Sequence, residues 1–406
     1  MLFCFSLPRP CTVQHTHIRC GCFRPGVVCA VFTKEAEPVD FCKIMSDLMV
    51  VLAALNSRKK QRRFYPRNRV YRPRISFLSL TEEQVFDRFR LNKQFIYDLC
   101  EELKGDLECH RNSNYALPVP VKMTSALTFY ATGSFQNAAS GSTGISQASM
   151  CKSLSEVTEA LVRRVKKYIC FPMSPGQMQK TKEEFYKVTQ FPNVLGVIDC
   201  THVGIRARTE NEPAFRNSKG FHSVNVQVVC DAKNIITNVL ANHPGCADDA
   251  YILSKSRLTE IFETEITSNC WLVGDSDYDL KPWLMTPIPN PESPAEHRYN
   301  EAHQLTHAVI DKTKSILKTR FRCLDRSKGV LQYSPKKVCQ IFLACCVLHN
   351  IATQHNILVD VDEGMETPNE DEDLSPVLDE EEELPEENAS SEAASIRMEL
   401  VREHFS

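Results

Sequence analysis

The spacing of apolar residues changes character along this chain, and each change predicts an element. Across residues 80–106, Val85, Phe86, Phe89, Leu91, Phe95, Ile96 and Leu99 recur among alternating acids and bases. That spacing predicts an amphipathic helix with Thr81 as its N-cap. A second helix runs from Thr124 to about Ala131 and stops at Gly133, and a polar Gly/Ser stretch follows. Ser146 then caps a longer helix reaching about Val165, with Met150, Leu154, Val157, Leu161 and Val165 as its buried stripe. Short helix, small-residue turn and long helix, with Ser146, Gln147, Ser149 and Lys152 presented near the start of the second, is the layout of a helix-turn-helix DNA reader. Helix pairs that only fill a core have the same pattern.

The pattern becomes strand-like after residue 190. VLGVID is an apolar strand ending at Asp199, and HSVNVQVVCD alternates with period two, turns at Ala232-Lys233-Asn234 and resumes as IITNVLAN. Together they predict a three-stranded meander with tight turns. DDAYILSKSRLTEIFE predicts a helix with Asp248 or Asp249 at its positive end, CWLVGD a fourth strand ending at Asp275, and WLMTPI a short strand between Pro282 and Pro287. A long helix over 299–324 carries Asp311, and KKVCQIFLACCVLHNIAT predicts a buried final helix. Meander, helix, strand, strand, helix is the element order of the ribonuclease H-like α/β fold. There the first and fourth strands lie parallel and adjacent, so Asp199 and Asp275 emerge together and Asp311 closes the site from a helix.

A carboxylate at the end of a buried strand is costly unless paired or bound to a cation. Several of them converging point to a hard divalent ion, Mg²⁺ or Mn²⁺, and so to phosphate chemistry. Asp275 alone reads equally well as a turn-capping aspartate; Asp199 and Asp311 tip the balance. His303, His307 and Asp311 stand at i, i+4 and i+8 on one helix face, which admits a zinc hydrolase, although HExxH is absent.

Composition narrows the classes. The chain has 406 residues, 42% of them hydrophobic and 24% charged, the balance of an ordinary globular protein rather than a disordered or membrane one. No apolar run approaches the length of a membrane helix. The net charge of −3 conceals two opposed segments: residues 57–74 hold nine Lys or Arg and no acid, whereas residues 360–388 hold 15 Asp or Glu and no base. The first suits a phosphate backbone or an import receptor, and the second reads as a solvated, disordered tail. Lys219, Arg298, Arg320, Arg322, Arg326 and Lys328 are candidate DNA-backbone contacts. The 18 cysteines show no paired framework and predict free thiols in a reducing compartment. Cys20 and Cys22 with His15 and His17 form a weak zinc candidate, and residues 1–44 suggest translation from Met45.

GVIDCTHVGI, RNSKGFHSVNVQVVCD, GDSDYDLKPWLMTPI followed by PAEHRYNEAH, VIDKTKSILKTRFRCL and LACCVLHNI together resemble the PIF/Harbinger transposase family, and within it the Harbinger transposase-derived nucleases of vertebrates. The resemblance runs from about Leu80 to the closing HFS. It implies a ribonuclease H-like DDE catalytic domain after a helix-turn-helix, DNA as substrate, and a divalent cation on Asp199, Asp249 and Asp275. The family's last catalytic acid is Glu, where this chain has Asp311, shorter by one methylene or roughly 1.5 Å. It further implies a Myb/SANT-like DNA-binding partner and a nuclear protein also present in the cytoplasm; a homo-oligomer is compatible with it. The expected layout is an unassigned extension over 1–56, a basic arm over 57–79, a helical domain over 80–170, a nuclease domain over 190–356 with Asp199, Asp275 and Asp311 as catalytic residues, and an acidic tail over 357–406. The competing expectation is a catalytically weakened DNA-binding or regulatory protein of the same descent.

Overall fold

Thr81 opens the first helix as expected: its hydroxyl accepts from Gln84 N while the Gln84 side chain accepts from Thr81 N, a reciprocal cap on α1 (Glu82–Phe89). The computed structural model describes residues 76–108, 116–133, 144–206, 211–266, 269–359 and 390–406. The extension, nearly all of the basic arm, the acidic run 360–389 and the zinc candidate near Cys20 lie outside them.

The single helix expected over 80–106 is broken into three. Arg90 turns into the left-handed region (φ 59°) and Asn92 caps α2 (Lys93–Glu102), after which α3 (Lys104–Leu107) adds one turn. Phe89 and Leu91 on either side of the break are both buried, so the kink serves packing that one straight stripe would not. α4 (Val119–Thr132) begins earlier than expected, with Pro120 in its first turn where no N–H partner is needed, and ends at Gly133 as read. Gly133 has φ 64°, and a Cβ there would stand 2.8 Å from Arg322 O, so the position excludes a side chain on both counts. α5 (Gln147–Val162) starts at the Ser146 cap, and its stripe Met150, Leu154, Val157 and Leu161 is buried. Val165 falls instead in the separate turn α6 (Val165–Tyr168). The segment joining α4 and α5 is partly outside the described residues, so the turn of the expected helix-turn-helix is too.

α7 (Pro175–Thr189) was not foreseen, because its sequence is polar and only Phe185 and Thr189 are buried. It packs on β1 (Val194–Gly204) and on the long helix described below. α8 (Glu212–Phe215) lies between β1 and β2 (Ser223–Cys230), so this connection is a long excursion and not the tight turn expected. The turn from β2 to β3 (Ile236–Pro244) is tight: Asp231 Oδ1 accepts from Lys233 N and Ile235 N at 2.9 Å each, and Asn234 takes φ 60°. The helix expected over 248–263 is α9 (Asp249–Ser254), α10 (Arg257–Glu260) and a π turn, interrupted where Ser256 caps a new start. β4 (Trp271–Val273) and the two-residue β5 (Leu284–Met285) complete the sheet. α11 (Pro294–Arg320) is the long helix, opened by a Ser293/Glu296 capping box; α12 (Pro335–Gln354) follows, and α13 (Ser391–His404) closes the chain.

The five strands are ordered β3-β2-β1-β4-β5. β1 pairs antiparallel with β2 and parallel with β4, as the sequence pattern placed them. Apolar side chains cover both faces. Past a bulge near Gly196, Val197 and Val203 join the core built on α11 and α12, while Ile198 joins Leu253, Leu258 and Phe262 from α9, α10 and the π turn.

Two expectations about boundaries change. The helices over 80–170 share one continuous core with the sheet and do not form a domain of their own, because α12 packs on α5, α6 and β3 together. The tail is not solvated to its end: Phe405 packs at a tilt against Phe191 and edge-on against Tyr299, ring centroids 5.6 Å apart in each pair, and Arg298 Nε donates to Phe405 O. The fully buried Arg320, which donates to Arg90 O and Ile357 O, is therefore structural rather than a DNA contact, whereas Arg298 is exposed. No disulfide is formed among the described cysteines, and no described helix is long and apolar enough to cross a membrane.

Candidate metal centre

The parallel pairing of β1 with β4 aligns Val197 with Val273. Two residues onward lie Asp199 and Asp275, but β1 does not end at Asp199 as expected: it pairs with β2 as far as Gly204, so Asp199 sits mid-strand on the face of Val197, while Asp275 lies two residues past the end of β4. Asp199 is 6% exposed. α11 crosses this edge with His307, Asp311 and Lys314 on one face, at helical spacings of four and three. One ligand atom each from Asp199, Asp275 and His307 lies within 4.8 Å of the others. His307 Nε2 is buried, makes no hydrogen bond, and stands 3.9 Å from Asp199 Oδ2.

Asp311 reaches the same cleft but does not join that group. Its Oδ2 lies 3.2 Å from His307 Nδ1 and its Oδ1 3.0 Å from Lys314 Nζ, which also ion-pairs with Asp199. Asp249, the first residue of α9, approaches from across β2. Asn225 Nδ2 donates to Asp249 Oδ1 and Ala247 O at 3.0 Å each, while Asn225 Oδ1 stays buried without a partner. The cleft holding all four aspartates measures roughly 710 Å³ and also takes in Asp277, Lys219 and Lys318. His303, by contrast, turns Nε2 to Gly274 O (2.9 Å) and Met285 O (3.3 Å). It braces the Asp275 turn from behind, so the zinc constellation of His303, His307 and Asp311 does not assemble.

The structure thus gathers Asp199 and Asp275 together, keeps Asp249 and Asp311 in the same cleft, brings in His307 from the zinc constellation with its Nε2 open, and adds two groups the pattern did not single out: Lys314 and Asn225. Lys314 was legible as a base three residues beyond Asp311 on one helix face; Asn225 was not, since nothing local distinguishes it within a buried strand. Ser146, Gln147 and Lys152 lie exposed at the start of α5, and Ser149 is half-buried with the Ser146 hydroxyl donating to it.

Electrostatics follow from this geometry. Burial and then the Asp199 and Asp277 carboxylates push Asp275 up to about 7. Burial likewise pushes Asp249 up to about 6, against the opposing Asn225 hydrogen bond. Burial also acts upward on Asp311, but the His307 hydrogen bond and the Lys314 charge outweigh it and hold the group at about 2. For His307 burial acts downward, and the Asp311 hydrogen bond with the charges of Asp199, Asp311 and Asp275 raises it overall. Two carboxylates crowded beyond comfortable ionisation, beside an unpaired imidazole nitrogen, suit a cation. Oxygen donors in the majority favour Mg²⁺ or Mn²⁺ over softer ions.

The pH dependence of stability without divalent cation follows in sign. Asp249 and Asp275 titrate near 6 and 7 in the fold. Their unfolded value is about 3.9, so the stability from keeping them protonated is complete below that value and lost as pH rises through 6 to 7. The raised His307 acts in the same direction. Asp311 runs the other way, its contribution present above about 3.9 and lost as pH falls toward its folded value. In EDTA, the melting temperature is expected to be highest between roughly pH 4 and 6, to fall by pH 8, and to recover at pH 8 with Mg²⁺. A melting temperature in EDTA that climbs steadily from pH 5 to 8 contradicts this account.

Residues 198–350, which span β1 to α12 and every group just described, match the DDE superfamily endonuclease family. Over 336 residues the chain is 42% identical to the Mus musculus protein named "Putative nuclease HARBI1", covering 82% of this chain and 93% of the relative. The chain belongs to the HARBI1 family. The Homo sapiens HARBI1 protein is also 42% identical over 339 residues, with the same coverage of both chains. A more distant relative, the ALP1-like protein of Arabidopsis thaliana, is 24% identical and covers 67% of this chain and 71% of its own. No solved structure matches significantly. The HARBI1 family is a transposase-derived group within the DDE superfamily endonucleases, so the resemblance read from the sequence motifs stands.

Proposed function

We propose that this chain is a DNA nuclease of ribonuclease H-like architecture whose divalent cation is held by Asp199 and Asp275. The observation that carries the reading is the parallel β1–β4 register, which delivers two carboxylates side by side at a sheet edge with His307 Nε2 open beside them. When bound, Mg²⁺ or Mn²⁺ supplies an activated water and stabilises the charge that develops on a phosphodiester leaving oxygen. The chain's own groups prepare that site. Asp199 is fixed within the sheet, and the Asp277 amide donates to Asp275 Oδ1 at 3.1 Å, orienting the second ligand. His303, pinned to Gly274 O, holds the backbone under that turn. Asn225 orients Asp249, a further ligand on the far side of the cleft, and Asp311 is the acid supplied by α11. Lys219 and Lys318 line the cleft mouth with the charge a phosphate backbone meets.

The exposed start of α5, with Ser146, Gln147, Ser149 and Lys152, is proposed as a DNA-contacting face of helix-turn-helix type. A Myb/SANT-like partner, nuclear residence with a cytoplasmic pool, and self-association belong to the same proposal and rest on the family.

A second reading, a DNA-binding protein with weakened turnover, is favoured by one feature: both oxygens of Asp311 are engaged by groups of its own helix. Supercoiled plasmid separates the two. The nuclease reading expects nicking in Mg²⁺ or Mn²⁺ and none in EDTA, with Asp311→Glu raising the rate. Plasmid binding without nicking in any divalent cation, for wild type and Asp311→Glu alike, would establish the second reading instead.

A further inference from the structure

We propose that Lys314 is a tethered cation that closes the Asp199–Asp311 bridge, so that a divalent ion loads fully only when this ammonium is displaced. The inference rests on the metal-dependent reading above and concerns how that site is filled.

Lys314 Nζ contacts Asp199 Oδ2 and lies 3.0 Å from Asp311 Oδ1, and so joins the strand carboxylate to the helix carboxylate. Any ion ligated by both would occupy the space Nζ holds. The lysine is well placed to stay. It follows Asp311 by three residues on α11, its side chain is only 21% exposed, and Thr313 beside it is anchored in the core. A single positive charge in contact with a buried carboxylate also repels an incoming dication at short range. On the opposite side, His307 Nδ1 takes Asp311 Oδ2, so neither oxygen of Asp311 is unengaged. Asp275 and His307 Nε2 are not part of this clasp, and the Asp199–Asp275 side of the site stays approachable. The expected order is a weak encounter of the ion with Asp199 and Asp275, and full-affinity binding that includes Asp311 only after Lys314 swings outward. The outward path leads past Ser315 and Lys318, which line the same cleft where a DNA phosphate would receive the ammonium.

The test is Mn²⁺ binding to the full chain, read as free Mn²⁺ by electron paramagnetic resonance, with no DNA and no turnover. A site closed nine-tenths of the time binds about tenfold more weakly than an open one, so Lys314→Gln should bind Mn²⁺ about tenfold more tightly than wild type. Lys314→Arg keeps the charge and should remain as weak as wild type. Melting temperatures in EDTA and in Mn²⁺ report folding independently, and the Mn²⁺-induced rise should be larger for Lys314→Gln. Equal or weaker Mn²⁺ affinity in Lys314→Gln overturns the role of Lys314 while leaving the metal site intact. No Mn²⁺ binding by wild type or either variant overturns the metal-dependent reading itself and this inference with it.

Discussion

Asp199→Asn is expected to remove metal-dependent DNA nicking by roughly a thousandfold, since a lost ligand forfeits several kcal/mol of charge stabilisation at about 1.4 kcal/mol per tenfold in rate. Among the four aspartates Asp199 is the shared member. It lies in the cation-sized group with Asp275 and His307, and it receives Lys314 on its Oδ2. Asparagine keeps the shape and one oxygen but not the charge, so β1 retains its pairing with β2 and β4 while the site loses its central negative group. Circular dichroism should be unchanged, and Mn²⁺ binding should fall together with nicking. Asp311→Asn should cost less, because Asp311 sits outside the tight group. Nicking by Asp199→Asn within tenfold of wild type would remove Asp199 from the site.

Asn350→Leu is expected to destabilise the fold by about 4 kcal/mol, from three backbone groups each losing a buried partner at about 1–3 kcal/mol. Asn350 is fully buried on α12. Its Oδ1 accepts from Ile236 N at 2.8 Å, and its Nδ2 donates to Ile236 O at 2.7 Å and Tyr168 O at 2.8 Å. One amide therefore ties the start of β3 and the end of α6 to α12. Leucine keeps the branching at the same carbon, is somewhat larger, and cannot replace any of these bonds. Urea unfolding monitored by tryptophan fluorescence measures the loss through Trp271 and Trp283, and a midpoint equal to that of wild type would refute the assignment. Because α12 is shared by the helical layer and the sheet, both should unfold in the same transition.

Much of this architecture was legible in the chain. Thr81, Ser146 and Gly133 mark helix ends by chemistry that acts within a single turn, and they were read correctly. The β2–β3 turn was legible for the same reason: Asp231 supplies the acceptor and Asn234 tolerates positive φ. Errors arose where tertiary packing overrode local pattern. A uniform amphipathic stripe over 80–106 gave no sign that Arg90 would kink to bury Phe89 and Leu91, and a polar surface hid α7. The basic character of Arg320 suggested DNA, yet it is buried and donates to two backbone carbonyls. In the site itself, Asp199 and Asp275 were readable as acids closing apolar runs, although β1 continues past Asp199 to Gly204 and β4 stops two residues before Asp275. Asp311 was readable by its helix and motif, but its engagement by His307 and Lys314 depends on side-chain reach across the sheet edge.

By itself, the order of apolar runs and the acids within or just beyond them pointed to the sheet topology, to the pairing of Asp199 with Asp275, and to the family to which the chain belongs. These follow from short-range propensity and the period of two, which any strand carries in its own residues. Only the tertiary structure decided that Lys314 stands between Asp199 and Asp311, that Asn225 holds Asp249, and that His303 faces backbone instead of the cleft. The contacts of Lys314 with Asp199, Asn225 with Asp249 and His303 with Gly274 join residues 115, 24 and 29 positions apart. Their distances are set by how α11 and α9 lie against the sheet, a packing outcome that no local window of sequence encodes.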